Sequence, residues 1–163
     1  MPFSSPLPTI VSVYNSAVPV SVVNSFTVET VILSPYIVPA GYLGIADSLL
    51  ITVNFKALNG GLGSPSFKIR LGGLTGTIIA NLGPTGTSST YLRALFQNKG
   101  AINSNLNSYF GNDSSVGLIG PKIAQLSLDT TVSLAVVSTV SFSNNDGLST
   151  LTLLSTNIQV IRA

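Results

Sequence analysis

Chemistry in this chain has to come from five carboxylates, seven bases and a large number of hydroxyls, because the sequence contains no His, no Cys and no Trp. The acids are Glu29, Asp47, Asp113, Asp129 and Asp146. Two converging carboxylates can cleave a glycosidic bond, and two or three Asp with backbone carbonyls can hold calcium. Nothing in the spacing of these five favours either use. Asp47, Asp129 and Asp146 fall at expected strand starts or turns, where an Asp side chain accepts from nearby backbone N–H groups. Without imidazole a Ser nucleophile would need a Lys base, and no Ser stands in a Gly-x-Ser-x-Gly elbow. The run Gly83-Pro84-Thr85-Gly86-Thr87-Ser88-Ser89 has the glycines of a phosphate loop but neither its Lys nor its helix, and is expected to connect two strands. Asn112-Asp113-Ser114 is a glycosylation sequon that matters only in a chain secreted by a eukaryote. No catalytic residue, metal site or cofactor is assigned, and the chain is expected not to be an enzyme.

The bases Lys56, Lys68, Arg70, Arg93, Lys99, Lys122 and Arg162 are scattered singly. A nucleic-acid surface needs them clustered to release counterions, so no nucleic-acid partner is expected. Mean hydropathy is high at +0.53. The apolar residues are nevertheless interleaved with Ser, Thr and Gly, with no run of about 18 to cross a bilayer, and no membrane partner is expected. The first 28 residues carry no charge, so the basic start of a secretory signal is missing. Zero Cys leaves the redox compartment open.

Only 7% of the 163 residues are charged, against about 25% in ordinary globular chains. Such a surface is poorly protected against association, and part of it is expected to be covered by other subunits. Leu50, Ala135 and Val137 are expected on weakly polar outer faces, which points to self-association, foremost as a homotrimer.

The elements that must position these groups are strands. Helix formers are rare, β-branched residues abound, and nine Pro and 15 Gly punctuate short segments. In Asp47 to Ala57, the residues Leu49, Ile51, Val53, Phe55 and Ala57 alternate with Leu50, Thr52, Asn54 and Lys56, so period two puts the first set inside. Phe67, Ile69 and Leu71 follow a turn over 59–65 as an antiparallel partner. Val132, Leu134, Val136, Val140 and Phe142 repeat the device. Asn144-Asn145-Asp146-Gly147 then predicts a hairpin into Thr150 to Arg162, where a phase slip predicts a β-bulge near 153–155. Weaker strands are expected over 26–33, 36–38, 77–82, 91–97 and 122–128. Some eight strands with regular turns predict an all-β single antiparallel sandwich or jelly roll over residues 25–163.

Two stretches fall outside that frame. Residues 1–24 form an uncharged, Pro-rich, apolar segment, expected either to lie as an extended arm against another surface or to close its own core as an edge strand. Phe3, Leu7, Ile10, Val13 and Tyr14 are its candidate interaction residues. Residues 100–120, rich in Asn, Ser and Gly, predict a long functional loop in which Tyr109 and Phe110 either stack on a sugar or contact a neighbouring subunit.

Ile37-Val38-Pro39-Ala40-Gly41-Tyr42-Leu43-Gly44, the strand from Ser48 to Val53, and Phe67-Lys68-Ile69-Arg70-Leu71-Gly72-Gly73 resemble small β-sandwich structural proteins of tailed bacteriophages. Those share an Ile-Pro-Ala-Asn-x-Leu-Gly turn before a central strand, Gly41 standing here where Asn is usual. The closing pair, 134–142 and 151–161, is similar to their C-terminal hairpin. The resemblance spans about residues 30–163. It implies a trimerising module of the kind found in capsid decoration (cement) proteins and tail-fibre heads. The expected function is that of a non-enzymatic virion structural protein, assembled in the host cytoplasm. Foremost it is a trimeric decoration protein stabilising a phage head, with the major capsid protein or other virion proteins as partners. The alternative is a tail-fibre or receptor-binding head that recognises host surface glycans. A small RNA-virus coat protein ranks lower, since residues 1–28 lack the basic arm used in packaging.

Overall fold

The computed structural model describes all residues except 1–6, 24–26, 62, 85–86, 101–104, 114–116 and 146. Regular structure among the described residues is entirely β. The strands are β1 (Thr9–Ser16), β2 (Val20–Val23), β3 (Thr30–Val31), β4 (Tyr36–Val38), β5 (Ser48–Leu58), β6 (Pro65–Leu71), β7 (Thr77–Leu82), β8 (Ser88–Gln97), β9 (Asn105–Asp113), β10 (Gly117–Leu126), β11 (Leu134–Phe142) and β12 (Thr150–Arg162). They make two antiparallel sheets. The larger runs β1-β12-β5-β8-β9-β10 with β2 also on β12, and the smaller runs β3-β11-β6-β7 with β4 also on β11. The expected jelly-roll sandwich is the fold.

Alternation builds the core. Leu49, Ile51, Val53, Phe55 and Ala57 of β5 are wholly buried, as are Phe67, Ile69 and Leu71 of β6 and Leu92, Ala94 and Phe96 of β8. The Phe55 ring of the large sheet stacks on Phe67 of the small one, with centroids 4.6 Å apart. Of the expected core residues, Val132 alone lies outside, 52% exposed. It sits in the turn before β11, which begins only at Leu134. Leu50 and Val137, expected on exposed outer faces, are 5% and 2% exposed because neighbours within the chain cover them. They supply no apolar patch for self-association.

Two expected hairpins are crossings instead. The 59–64 segment leads from β5 in the large sheet to β6 in the small one, and the turn after Phe142 leads from β11 back to β12 in the large sheet. Period two tells which side chains face inward but is blind to which of two facing sheets a strand joins. The two crossings pack on each other at one end of the sandwich. A Cβ on Gly60 would lie 2.4 Å from the Leu148 carbonyl oxygen, so this approach requires glycine.

The bulge in β12 is where the phase slip placed it: the register with β5 shifts between Leu153 and Ser155. The same site divides the edge. β1 pairs with Thr156 to Arg162 and β2 with Thr150 to Leu153. Pro19, in the connection, has no ladder bond to lose. Of the two courses open to the N-terminal segment, residues 9–16 and 20–23 thus take the edge-strand one.

The long loop expected over 100–120 is instead largely a hairpin. β9 pairs with β8 from Thr90↔Asp113 to Gln97↔Leu106 and with β10 on its other side. Its Asn, Ser and Gly have little β-propensity of their own, and the ladder with β8 supplies what they lack. The β9–β10 register slips between Ile119 and Lys122, around Gly120-Pro121, where Pro cannot donate to a ladder.

The turn over 37–47, which carries the phage resemblance, is fastened from three sides. Asn98 Nδ2 donates to the carbonyls of Leu43 (2.9 Å) and Gly44 (3.1 Å). The Asp47 carboxylate accepts from the backbone N–H of Gly44 at 2.9 Å and of Ala163 at 3.1 Å. Arg162 pairs with Asp47, donates to the Tyr42 carbonyl at 2.6 Å and lies 4.5 Å above the Tyr42 ring.

Candidate functional site

Each acid whose side chain is described has a structural task. Asp47 is buried, which by itself would raise its pKa. The Arg162 guanidinium and the N–H groups of Ala163 and Gly44 outweigh that and hold it below the usual carboxylate range. Asp129 accepts from the N–H of Thr131 at 2.8 Å and from its hydroxyl at 2.5 Å, closing a turn before β11, and these bonds lower its pKa. Both uses match the turn role expected from sequence. Glu29 reaches the outer face of the small sheet and accepts from Arg70 Nε (2.6 Å) and Nη2 (2.8 Å), Lys68 Nζ (2.7 Å) and Thr139 Oγ1 (2.5 Å). The Arg70 bonds lead in bringing its pKa down to about 2, against partial burial and with help from Lys68 and Thr139. These three carboxylates do not approach one another as a catalytic pair. Among the described residues no group of three or more His, Cys, Asp or Glu is placed to hold a metal ion.

The surface with unspent recognition chemistry is the outer face of the large sheet. Its register aligns side chains in rows across β12, β5, β8 and β9. One row runs Asn157, Thr52, Arg93, Phe110, and β1 extends it with Asn15. The next runs Gln159, Leu50, Leu95, Ser108, extended by Ser12 of β1 and Ile123 of β10. On the other flank Ser155, Asn54 and Tyr91 stand side by side. Strands lie about 4.8 Å apart, so a five-strand row spans about 19 Å.

Tyr91 and Phe110 form an aromatic pair, centroids 6.2 Å apart and planes at 50°. The Arg93 guanidinium lies 6.0 Å from the centroid of the Phe110 ring, at the edge of the cation–π range. Leu50 and Leu95 floor a cleft of about 170 Å³ whose walls are Arg93, Ser108, Phe110 and Ile161. Asn54 Nδ2 donates to Ser155 Oγ at 2.9 Å and Asn157 Nδ2 to Ser12 Oγ at 3.4 Å, cross-strand bonds that orient the polar groups. Thr52, Asn54, Tyr91, Arg93 and Asn157 are all half-buried, their ends reaching solvent over a rigid sheet.

The residues singled out from sequence are dispersed. Phe3 lies outside the described residues. Leu7 is exposed ahead of β1, and Ile10 is 60% exposed on the β1 edge, beside Ile161. Val13 sits at a register shift in β1 and packs on the core. Tyr14 packs there too, its ring 5.7 Å from Tyr36. Tyr109 and Phe110 take opposite faces of β9. Tyr109 packs on the core with Lys122 5.8 Å from its ring, while Phe110 faces out beside Arg93. Of the six that are described, Phe110 alone belongs to the aromatic face. Tyr91, Arg93, Thr52, Asn54 and Asn157 did not stand out in the sequence as site residues. Alternation marked Thr52 and Asn54 as outward-facing and gave no face to the other three, and only the non-local register of four strands brings the five together.

No family model matches the sequence, and no curated protein matches it. The fold does have solved counterparts. It is similar to the CBM2 module of the evolved Dit protein of Lactobacillus casei BL23 phage J-1, with a TM-score of 0.53 at 10% identity over 96% of this chain and 98% of that one. It is similar to arcelin-5, a lectin-like defence protein of Phaseolus vulgaris, with a TM-score of 0.56 at 8% identity over 97% and 100%. The seed lectin of Lotus tetragonolobus gives 0.51 at 7% identity over 98% and 96%. At such identities the likeness is one of fold, and the class it defines is the two-sheet antiparallel jelly-roll sandwich.

Proposed function

We propose that this protein is a non-enzymatic carbohydrate-binding β-sandwich of a phage particle, and that it takes its glycan on the outer face of the large sheet. The observation that carries this reading is the Tyr91–Phe110 pair with Arg93 beside it, set in a lattice of Asn, Thr and Ser ends. Sugar rings present apolar C–H faces that stack on aromatic rings, and amides and hydroxyls pair with their hydroxyl groups. A rigid sheet holds those partners ready, which limits the ordering cost of binding. The folds of the phage CBM2 module and the lectin-like proteins support the reading without assigning a ligand.

Phe110→Ala and Tyr91→Ala are each expected to weaken binding of an oligosaccharide from a glycan array about tenfold, since a stacked ring contributes roughly 1 kcal/mol beyond its buried area. Titration calorimetry measures it, with Lys99→Ala, on the loop after β8, as the comparison. Both ring variants binding like the wild type would remove the face from consideration.

One observation favours a second reading, a homotrimeric capsid decoration protein held to the major capsid protein. On the β10 edge Ile123 is 75% exposed beside Leu106, 40% exposed. With Leu95 they line a cleft of about 160 Å³ suited to an apolar contact. The mass in solution separates the two readings, because decoration by a trimer requires three chains together.

A further inference from the structure

We infer that the aromatic face selects glycans bearing an anionic group, and that Arg93 receives it; this rests on the glycan-binding reading above and adds the class of sugar. The inference comes from how the chain disposes of its arginines. Arg70 is held by Glu29 and Arg162 by Asp47. Arg93, half-buried in the middle of the sheet, has no carboxylate partner among the described residues, and its one cationic contact is the Phe110 ring. A guanidinium fork matches a carboxylate or phosphate in a two-bond contact. The polar row that would grip a sugar, Asn157 and Thr52, leads straight to it.

Among the described side chains the charges on this face have one sign. Among described side chains, Glu29 lies against the small sheet, Asp47 is closed off with Arg162, and Asp129 caps the turn before β11, so no carboxylate reaches this face. Lys56, exposed on the outward set of β5, pairs in register with Ser89, four residues along β8 from Arg93. That places it roughly 13 Å away along the strand. The two cations are too far apart for one anionic group and suitably placed for two along the same chain. Arg93 merely laying its stem over Leu50 and Leu95 is the competing account, and it predicts no preference for charge.

The test compares matched oligosaccharides on the full chain: oligogalacturonate against its carboxyl-reduced form, and a mannose-6-phosphate oligosaccharide against its phosphatase-treated form. The expected result is that at least one anionic member binds about tenfold or more tightly than its neutral counterpart, a gap that shrinks with added salt. The arm showing the gap identifies carboxylate or phosphate as the group read. Arg93→Gln should bring the ratio close to one, Arg93→Lys should keep part of it, and Lys56→Gln should reduce it for the longer ligands only. Thermal melting confirms that each variant is folded. Equal binding of charged and neutral forms overturns the inference and leaves the glycan reading standing. A gap that survives Arg93→Gln overturns the role of Arg93, and no binding to any glycan overturns both.

Discussion

Phe55→Ala is expected to destabilise the sandwich by about 3 to 5 kcal/mol, far more than an exposed position on the same strand would lose. Phe55 is wholly buried and its ring stacks on Phe67 at 4.6 Å, a direct aromatic contact between the two sheets. Truncation removes the transfer free energy of a ring and leaves a hole between sheets whose strands are locked by ladders on both sides. β5 is bonded to β12 and β8, so it cannot shift inward to fill that space. A domain's whole margin is about 5 to 15 kcal/mol, so a third or more of it would go. Equilibrium urea unfolding measures the loss. A value below about 1 kcal/mol would mean that the face of β5 has been assigned backwards.

The second large effect is expected at Glu29. Glu29→Gln leaves Lys68 and Arg70 as neighbouring, partly buried cations that have lost their shared anion, and is expected to cost about 2 to 3 kcal/mol at neutral pH. The same group gives the fold an acid dependence of known sign. Its pKa falls from an ordinary 4.5 to about 2 on folding, so the unfolded chain takes up the proton first. The stabilisation is complete above about pH 4.5 and disappears as pH falls towards 2. Urea midpoints measured down that range should drop for the wild type and drop less for Glu29→Gln. What remains in the variant belongs to other carboxylates, Asp47 and Asp129 among them, whose pKa values are also lowered. Parallel wild-type and variant curves would contradict the assignment.

Strands such as β5, β6 and β12 were legible because period-two alternation is written locally, and the β12 bulge was legible because a slip in phase is local as well. What failed to show was everything set by partners far away in sequence. The turns after Leu58 and Phe142 carry hairpin chemistry yet cross between sheets, and no local signal records which sheet a strand joins. The β9–β10 segment resembles a loop in composition, since Asn and Ser favour turns unless a neighbouring strand claims their backbone groups. Glu29 is an unremarkable lone acid in the sequence, and its cluster needs β6 and β11 to come together beneath it. The candidate face followed the same rule. Phe110 stood out as an aromatic among Asn and Gly, whereas Tyr91 and Arg93 acquired meaning only when β8 was paired with β9.

Glycan binding across β12, β5, β8 and β9 is tested most directly by an NMR titration. Isotope-labelled protein would be titrated with the oligosaccharide that binds best in the matched panel. A ligand seated on this face should change backbone and side-chain shifts at Thr52, Asn54, Tyr91, Arg93, Phe110 and Asn157, with the small sheet silent. Changes confined to the small sheet around Lys68 and Ile78, or to the β10 edge around Ile123, would contradict it.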